Sequence, residues 1–267
     1  MSYENILYSA ADRVARISLN RPRKLNTLTD DLLKELMAAL QQADADPDVK
    51  VIVLTGEGGN FSAGFSLTGG TTYSIPDQSL DDYHRMIRSM RTIYTTIWNT
   101  QKPIVGKIRG YCIAGGCYIQ MLCDVSIASD QATFGHPAVT TGGVSCMPMW
   151  NWLLGLRKAK ELLLTGKMIS AAEAEKIGLV NRTVPEDRLD EEVEATVAQM
   201  LTIPLTGLTL TKEGLNTAAE VMGLAATFRT QGHMNALARF GDSMSLDFEG
   251  LKRKNQAISQ SLRSAEA

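Results

Sequence analysis

Neither sign of charge dominates this chain, and histidine, cysteine and long apolar runs are all scarce. Its 267 residues carry 27 Lys and Arg against 29 Asp and Glu, a net charge of −2. That balance leaves no electrostatic case for nucleic acid, although local basic clusters remain as sites for a phosphorylated ligand. The three histidines, His84, His136 and His233, lie far apart and form no His-x-x-x-His pair. The four cysteines, Cys112, Cys117, Cys123 and Cys146, match no zinc spacing. No metal is expected, and the first three, set among apolar residues, read as packing groups. No apolar run reaches the roughly 18 residues that would span a membrane. The N-terminus, Met-Ser-Tyr-Glu-Asn, lacks a basic-then-apolar leader. A soluble cytoplasmic protein with no membrane partner is the default expectation.

At 44% apolar, the chain can bury a large core. Residues 13–19 and 51–55 read as strands, as do 104–108 and 125–128. Thr29 or Asp30 can cap a helix carrying Leu32, Leu33, Leu36, Met37 and Leu40 at helical spacing. Residues 66–80 are loop-like. Residues 81–99 are helical, with Met86, Met90, Ile93 and Ile97 on one face. The recurrence of strand and helix predicts an α/β fold of repeated β-β-α units around a buried sheet. From about Pro185 only helices follow, over 189–201, 205–218 and 221–239. The expected organisation is a core over 1–190 and a C-terminal helical region over 191–267.

Two glycine-bearing segments carry the chemistry. Residues 103–124 contain a buried strand, a glycine turn and a helix opening at Gly115-Gly116. A helix that starts on glycine presents bare N–H groups that can cradle an oxyanion; close backbone packing is the alternative reason for the glycines. The other segment, Gly59-Asn60-Phe61-Ser62-Ala63-Gly64-Phe65-Ser66-Leu67, follows the apolar run 51–56.

Together these segments resemble the crotonase (enoyl-CoA hydratase/isomerase) superfamily. The resemblance extends over nearly the whole chain. It includes Leu19-Asn20-Arg21-Pro22 followed by Leu25-Asn26, Phe134-Gly135-His136-Pro137, Leu164-Thr165-Gly166, Ala171-Ala172-Glu173-Ala174 and Gly178-Leu179-Val180. It implies a crotonase-like spiral of β-β-α units whose C-terminal helices join subunits into homotrimers or homohexamers. It implies an acyl-CoA substrate, with coenzyme A as part of the substrate and no separate cofactor. The backbone N–H groups of Phe65 and Gly115 would hold the thioester oxygen. Arg23, Lys24 and Leu25 would line the pantetheine and phosphates, and Ala63 and Leu67 would approach the adenine. Lys252, Arg253 and Lys254 match the family only loosely.

The chain departs from the family at the acid and base. Where hydratases carry two glutamates, this sequence has Tyr118 and Ala138, which puts ordinary hydration of an enoyl thioester in doubt. Three catalytic candidates stand in their place. Tyr118 can donate a proton but is a poor base at neutral pH. His136 has the right chemistry for a base. Cys146, in Gly143-Val144-Ser145-Cys146-Met147-Pro148, is either a thiolate nucleophile or part of an apolar wall. The segment Asp81-Asp82-Tyr83-His84 could supply a replacement acid or base, or could simply be a charged first helical turn. The resemblance therefore implies lyase or isomerase chemistry through a thioester enolate: a non-standard hydration, an isomerisation or a hydrolytic carbon–carbon cleavage of an aromatic or alicyclic acyl group. The alternative is a catalytically reduced acyl-CoA-binding or assembly subunit.

Overall fold

The computed structural model describes residues 3–66 and 79–238. Among the described residues there are nine strands: β1 (Ile6–Ala11), β2 (Val14–Leu19), β3 (Val51–Gly56), β4 (Ile104–Ile108), β5 (Tyr111–Ile113), β6 (Val125–Ser129), β7 (Thr133–Gly135), β8 (Met168–Ser170) and β9 (Arg182–Val184). The helices are α1 (Asp30–Ala45), α2 (Leu80–Asn99), α3 (Gly115–Gln120), α4 (Met149–Thr165), α5 (Ala171–Lys176), α6 (Leu189–Thr202), α7 (Leu205–Val221) and α8 (Leu224–Ala238).

A six-stranded sheet runs in the order β1-β2-β3-β4-β6-β9. β1 and β2 form an antiparallel hairpin, and every later pair is parallel. Asp12 and Arg13 both take positive φ at the hairpin tip, which matches the twist of the flanking strands. Parallel neighbours need crossovers, and helices supply them. All six residues of β3 are buried, as expected for a strand covered on both faces. Ile52 and Leu54 face the core built on Leu32, Leu36 and Leu40 of α1. Val51 and Val53 face Val105, Ile127 and the α6 residues Leu189, Val193 and Val197. The expected boundary at 190/191 thus falls inside α6, which covers one face of the sheet.

The second layer makes the spiral. β5 pairs parallel with β7, and β7 antiparallel with β8. Isolated bridges extend this layer: Ser62 pairs with Cys112, and Leu28 with Phe65. Each turn therefore contributes a strand to the large sheet, a short extended piece to the second layer, and then a helix. β2 with Leu28 and α1 is one turn. β3 with Ser62–Phe65 and α2 is the next, and β4-β5-α3 and β6-β7-α4 follow. The corner between β4 and β5 is tight. A side chain on Gly110 (φ 50°) would come within 2.3 Å of the Gly59 carbonyl.

Helix ends follow local chemistry. The Thr29 hydroxyl caps α1 by accepting from Leu32 N–H at 3.3 Å. Ser79 and Asp82 form a reciprocal capping box at α2. The Ser79 hydroxyl and Arg85 hold the Asp82 carboxyl down at about 2, so Asp82 is a cap and a surface ion-pair partner. α7 is fastened by Lys212, whose ammonium donates to Asp124 at 2.7 Å. Asp124 also accepts from Ile104 N–H, and burial raises its pKa despite the lysine. α8 lies over α2, with Leu224 and Phe228 in the main core. No single described helix is long and apolar enough to cross a membrane.

Candidate active site

The site begins with Asn26, wholly buried. Its amide donates to the carbonyls of Glu57 and Asn60 at 2.8 and 2.7 Å, and its oxygen accepts from Arg21 N–H. This one side chain joins the turn after β2 to the loop after β3. The Ser62 hydroxyl accepts from Gly64 N–H at 3.1 Å and donates to the Asn26 carbonyl. Ala63 N–H donates to the Leu25 carbonyl at 2.9 Å. The segment 23–25 and Ala63, singled out separately in the sequence, are therefore neighbours. Arg23, Lys24 and Leu25 are exposed on a 3-10 turn, and Leu25 closes it at φ 51°. Leu67 lies outside the described residues.

The direction of the Phe65 N–H follows from the ladder. Leu28 N–H donates to the Gly64 carbonyl, and the Leu28 carbonyl accepts from Ser66 N–H. A residue that bonds both neighbours of Phe65 turns the amide of Phe65 itself toward the opposite strand edge. Along that edge Ser62 exchanges bonds with Tyr111 and Ile113 of β5, and the chain continues to Gly115.

The turn at Ala114 brings Gly115 into place. Ala114 sits at φ 48°, ψ −117°, a conformation that costs an L-residue about 1–3 kcal/mol. It is held by Ala114 N–H donating to the Gly135 carbonyl and by Tyr118 N–H donating to the Ala114 carbonyl. α3 starts immediately afterwards, so Gly115 N–H has no acceptor within its own helix. The two motif backbones abut. A methyl group on Gly64 (φ 88°) would lie 3.2 Å from the Gly115 nitrogen and 2.9 Å from Ala114 Cβ. A Cβ on Gly115 would meet Leu28 Cδ1 and Phe65 Cε2 at 2.8 Å, and one on Gly116 would meet the Ser62 carbonyl at 2.5 Å. Close packing accounts for all three glycines, and at Gly64 it leaves no room for a methyl group beside the Gly115 nitrogen.

Beyond this junction the wall is aromatic. Tyr118, 2% exposed, stands edge-on to Phe65 with ring centroids 6.4 Å apart, and edge-on to Tyr94 at 5.9 Å. Its hydroxyl is 3.3 Å from both ring nitrogens of His136. A point equidistant from both nitrogens lies along neither lone-pair direction, so the contact is not aligned for transfer. Burial pushes the His136 pKa down to about 4, and the imidazole is neutral at physiological pH. Catalytic hydrogen bonds commonly tighten only when substrate is bound.

Cys146 sits one ring further out. Its Sγ is 3.8 Å from the Tyr94 hydroxyl and 3.9 Å from Met90 Sδ. The thiol is 5% exposed and packs against a phenol and a thioether, in keeping with the wall reading rather than the nucleophile reading. Ala138 is half-buried, and its carbonyl accepts from Gly143 N–H. The side chains of Tyr83 and His84, like residues 252–254, lie outside what is described. No group of three or more His, Cys, Asp or Glu suited to a metal occurs among the described residues. The sequence reading gave no role to Asn26 or Ala114. A buried asparagine and an alanine at positive φ carry no periodic signal; only the fixed order of motifs around them hints at a function.

The chain matches the enoyl-CoA hydratase/isomerase family model over residues 9–253. It is 37% identical over 224 residues to a probable enoyl-CoA hydratase of Rhizobium meliloti, covering 83% of this chain and 84% of that protein. It is 30% identical to the crotonyl-CoA hydratase of Syntrophomonas wolfei, covering 93% of this chain and 99% of that one. Among solved structures, an enoyl-CoA hydratase/isomerase from Xanthobacter autotrophicus Py2 superposes with a TM-score of 0.88 at 31% identity, covering 100% of this chain and 99% of that one. A probable enoyl-CoA hydratase from Mycobacterium smegmatis superposes at 0.81 with 35% identity, covering 89% and 95%. The spiral, the abutting glycine motifs and these matches agree: the chain belongs to the enoyl-CoA hydratase/isomerase family.

Proposed function

We propose that this protein processes an acyl-CoA thioester through an enolate held by the backbone N–H groups of Phe65 and Gly115. The fit of Gly64 against the Gly115 nitrogen carries the reading. Two fixed donors stabilise the thioester oxygen most when it holds the most charge, and each is worth about 3 kcal/mol of barrier. Arg23 and Lys24 meet the phosphates of coenzyme A, and Leu25 and Ala63 meet the rest of the carrier.

Tyr118 and His136 are the proton-handling pair in this reading. The neutral imidazole has capacity for a proton. Burial makes the imidazolium costly until the enolate's negative charge appears beside it. His136 thus takes a proton as the enolate forms, the Tyr118 hydroxyl returns one as it collapses, and the imidazolium then passes its proton to the phenolate across the Tyr118–His136 contact as that contact tightens with substrate bound. Hydration, isomerisation and hydrolytic carbon–carbon cleavage all pass through this intermediate. The rings of Phe65, Tyr118 and Tyr94 suit an aromatic or alicyclic acyl group. Subunits associate in threes or sixes through the C-terminal helices, a reading supported by the exposed Leu210, Leu215, Val221 and Met222.

The test is mass spectrometry of a panel of linear enoyl, aromatic enoyl and cyclic β-keto acyl-CoA esters after incubation with the protein. A product heavier by one water with coenzyme A attached, or an isomer of unchanged mass at a new retention time, supports the reading. Tight coenzyme A binding with no conversion of any member favours the binding-subunit alternative.

A further inference from the structure

Asn26 has no chemical task in the reading above, yet its amide is fully engaged. Both amide hydrogens are donated, to the carbonyls of Glu57 and Asn60, while Oδ1 accepts from Arg21 N–H. Two carbonyls on one end and an N–H on the other fix which way the amide points. The packing leaves it no play: a Cβ added at Gly56 would lie 2.7 Å from Nδ2. The main chain of the same residue faces both ways as well. Its N–H donates to the Arg21 carbonyl at 3.0 Å and closes the turn that carries Arg23, Lys24 and Leu25. Its carbonyl accepts from the Ser62 hydroxyl at 2.8 Å, and that hydroxyl accepts from Gly64 N–H at 3.1 Å, one residue before Phe65.

The turn is under strain. Leu25 and Asn26 both take φ 51°, a left-handed conformation that asparagine tolerates and leucine rarely adopts. Such a residue persists only where its surroundings hold it. The bond from Ala63 N–H to the Leu25 carbonyl joins the turn to segment 61–66, but it runs through the strained residue itself. The Asn26 amide ties the base of the turn to residues 57–60, where the chain leaves β3. The exposed side of this turn is read as the seat of the carrier, and its buried side ends on the strand that aims the Phe65 N–H. A carrier anchored at one end and a thioester at the other need a fixed separation, because a small misplacement forfeits most of the effect of positioned groups.

Building on the acyl-CoA reading above, we propose that Asn26 is a positioning residue that sets the register between the carrier turn 23–25 and the donors at Phe65 and Gly115. Its amide holds the turn at one spacing from segment 61–66, so that a carrier seated on Arg23 and Lys24 delivers its thioester oxygen to the two N–H groups. The consequence is selectivity for the full coenzyme A ester. Asn26 matters to an acyl group that arrives on the carrier, and not to one that arrives without it.

The test compares two unreactive probes on the full-length protein, benzoyl-CoA and the short ester S-benzoyl-N-acetylcysteamine, each isotopically labelled at the thioester carbonyl and read by Raman difference spectroscopy. Asn26→Gly removes the amide while leaving the left-handed backbone at that position unstrained. In the wild type both carbonyl stretches should move to lower frequency. In Asn26→Gly the short ester should keep its displacement. Benzoyl-CoA should keep less than about half of its own and bind about tenfold more weakly. Ser62→Ala removes only the hydroxyl link and should act in the same direction by less; it decides the matter if Asn26→Gly does not fold. Wild-type displacements for both probes in the folded variant overturn the proposal and leave Asn26 a purely structural residue. Equal losses for both probes overturn it too, since the donors themselves would then have collapsed. An unshifted benzoyl-CoA carbonyl in the wild type brings down the thioester reading first and this one with it.

Discussion

The segments 61–66 and 109–116 hold each other through main-chain hydrogen bonds, and a side chain added at Gly64, Gly115 or Gly116 would come within 3 Å of an atom in the facing segment. Tyr118, His136 and Cys146 meet their neighbours through ring packing and contacts of 3.3–3.9 Å that point along no lone pair or involve sulfur. One half of the site is thus built from backbone, where a displaced atom collides with something. The other is built from side chains in an aromatic wall, where substitutions can be absorbed. The backbone half leaves no room for a side chain at Gly64, Gly115 or Gly116, while the other half places the Tyr118 ring and the half-buried Ala138 where the neighbours are side chains.

The sharpest way to break this contrast is Gly64→Ala. The added methyl approaches the Gly115 nitrogen and imposes a side chain at φ 88°. Turnover should fall about 100-fold or more, and stability by about 1–2 kcal/mol. Steady-state kinetics alongside urea denaturation reads both. A variant with unimpaired kcat/KM would show that the abutting glycines serve packing alone.

His136 offers the next largest effect, in stability. Its folded-state pKa of about 4 lies below the ordinary value near 6.5. Between these values the unfolded chain binds the extra proton and the folded one does not. Stability is therefore complete above about pH 6.5 and declines as pH falls toward 4, by up to roughly 3 kcal/mol. Denaturant midpoints measured across that window should show the slope in the wild type, and His136→Gln should flatten it. A wild-type profile with no slope there would mean that the ring is not held neutral.

Tyr118→Phe removes only the hydroxyl. Loss of a proton-transferring group costs about 100-fold in kcat, whereas a wall residue would move kcat by less than about threefold. The two values are far enough apart for one kinetic measurement to decide. Cys146→Ala should be the mildest change, with turnover within about twofold and about 1 kcal/mol of packing lost. Inactivation by that substitution would return the thiol to the chemistry.

The legibility of the fold in the sequence follows the same division. α1, α2 and the strands β2, β3, β4 and β6 announce themselves by periodicity, because each is long enough to repeat a pattern against a core. β5, β7 and β8 have three residues each. At that length no period exists, and pairing across the second layer defines them. The stretch read as a glycine turn leading directly into a helix therefore contains β5 as well. α4 is interrupted by Gly155 at φ 69°, ψ 163°, which breaks its 3.6-residue pattern. The last helix starts at Leu224, not 221, because Gly223 takes φ 107°. At the site, glycine order made the backbone half readable. The Tyr118–His136 contact joins residues 18 apart through the α3 and β7 geometry, and no local pattern encodes it.

The central claim is that backbone N–H groups at Phe65 and Gly115 polarise a thioester carbonyl. Isotope-edited Raman difference spectroscopy of a bound acyl-CoA, labelled at the thioester carbonyl, reads that polarisation directly. The account predicts that the carbonyl stretch moves to lower frequency in the wild type and returns toward its solution value in Gly64→Ala. An acyl-CoA bound to the wild type with its carbonyl stretch unshifted would contradict it.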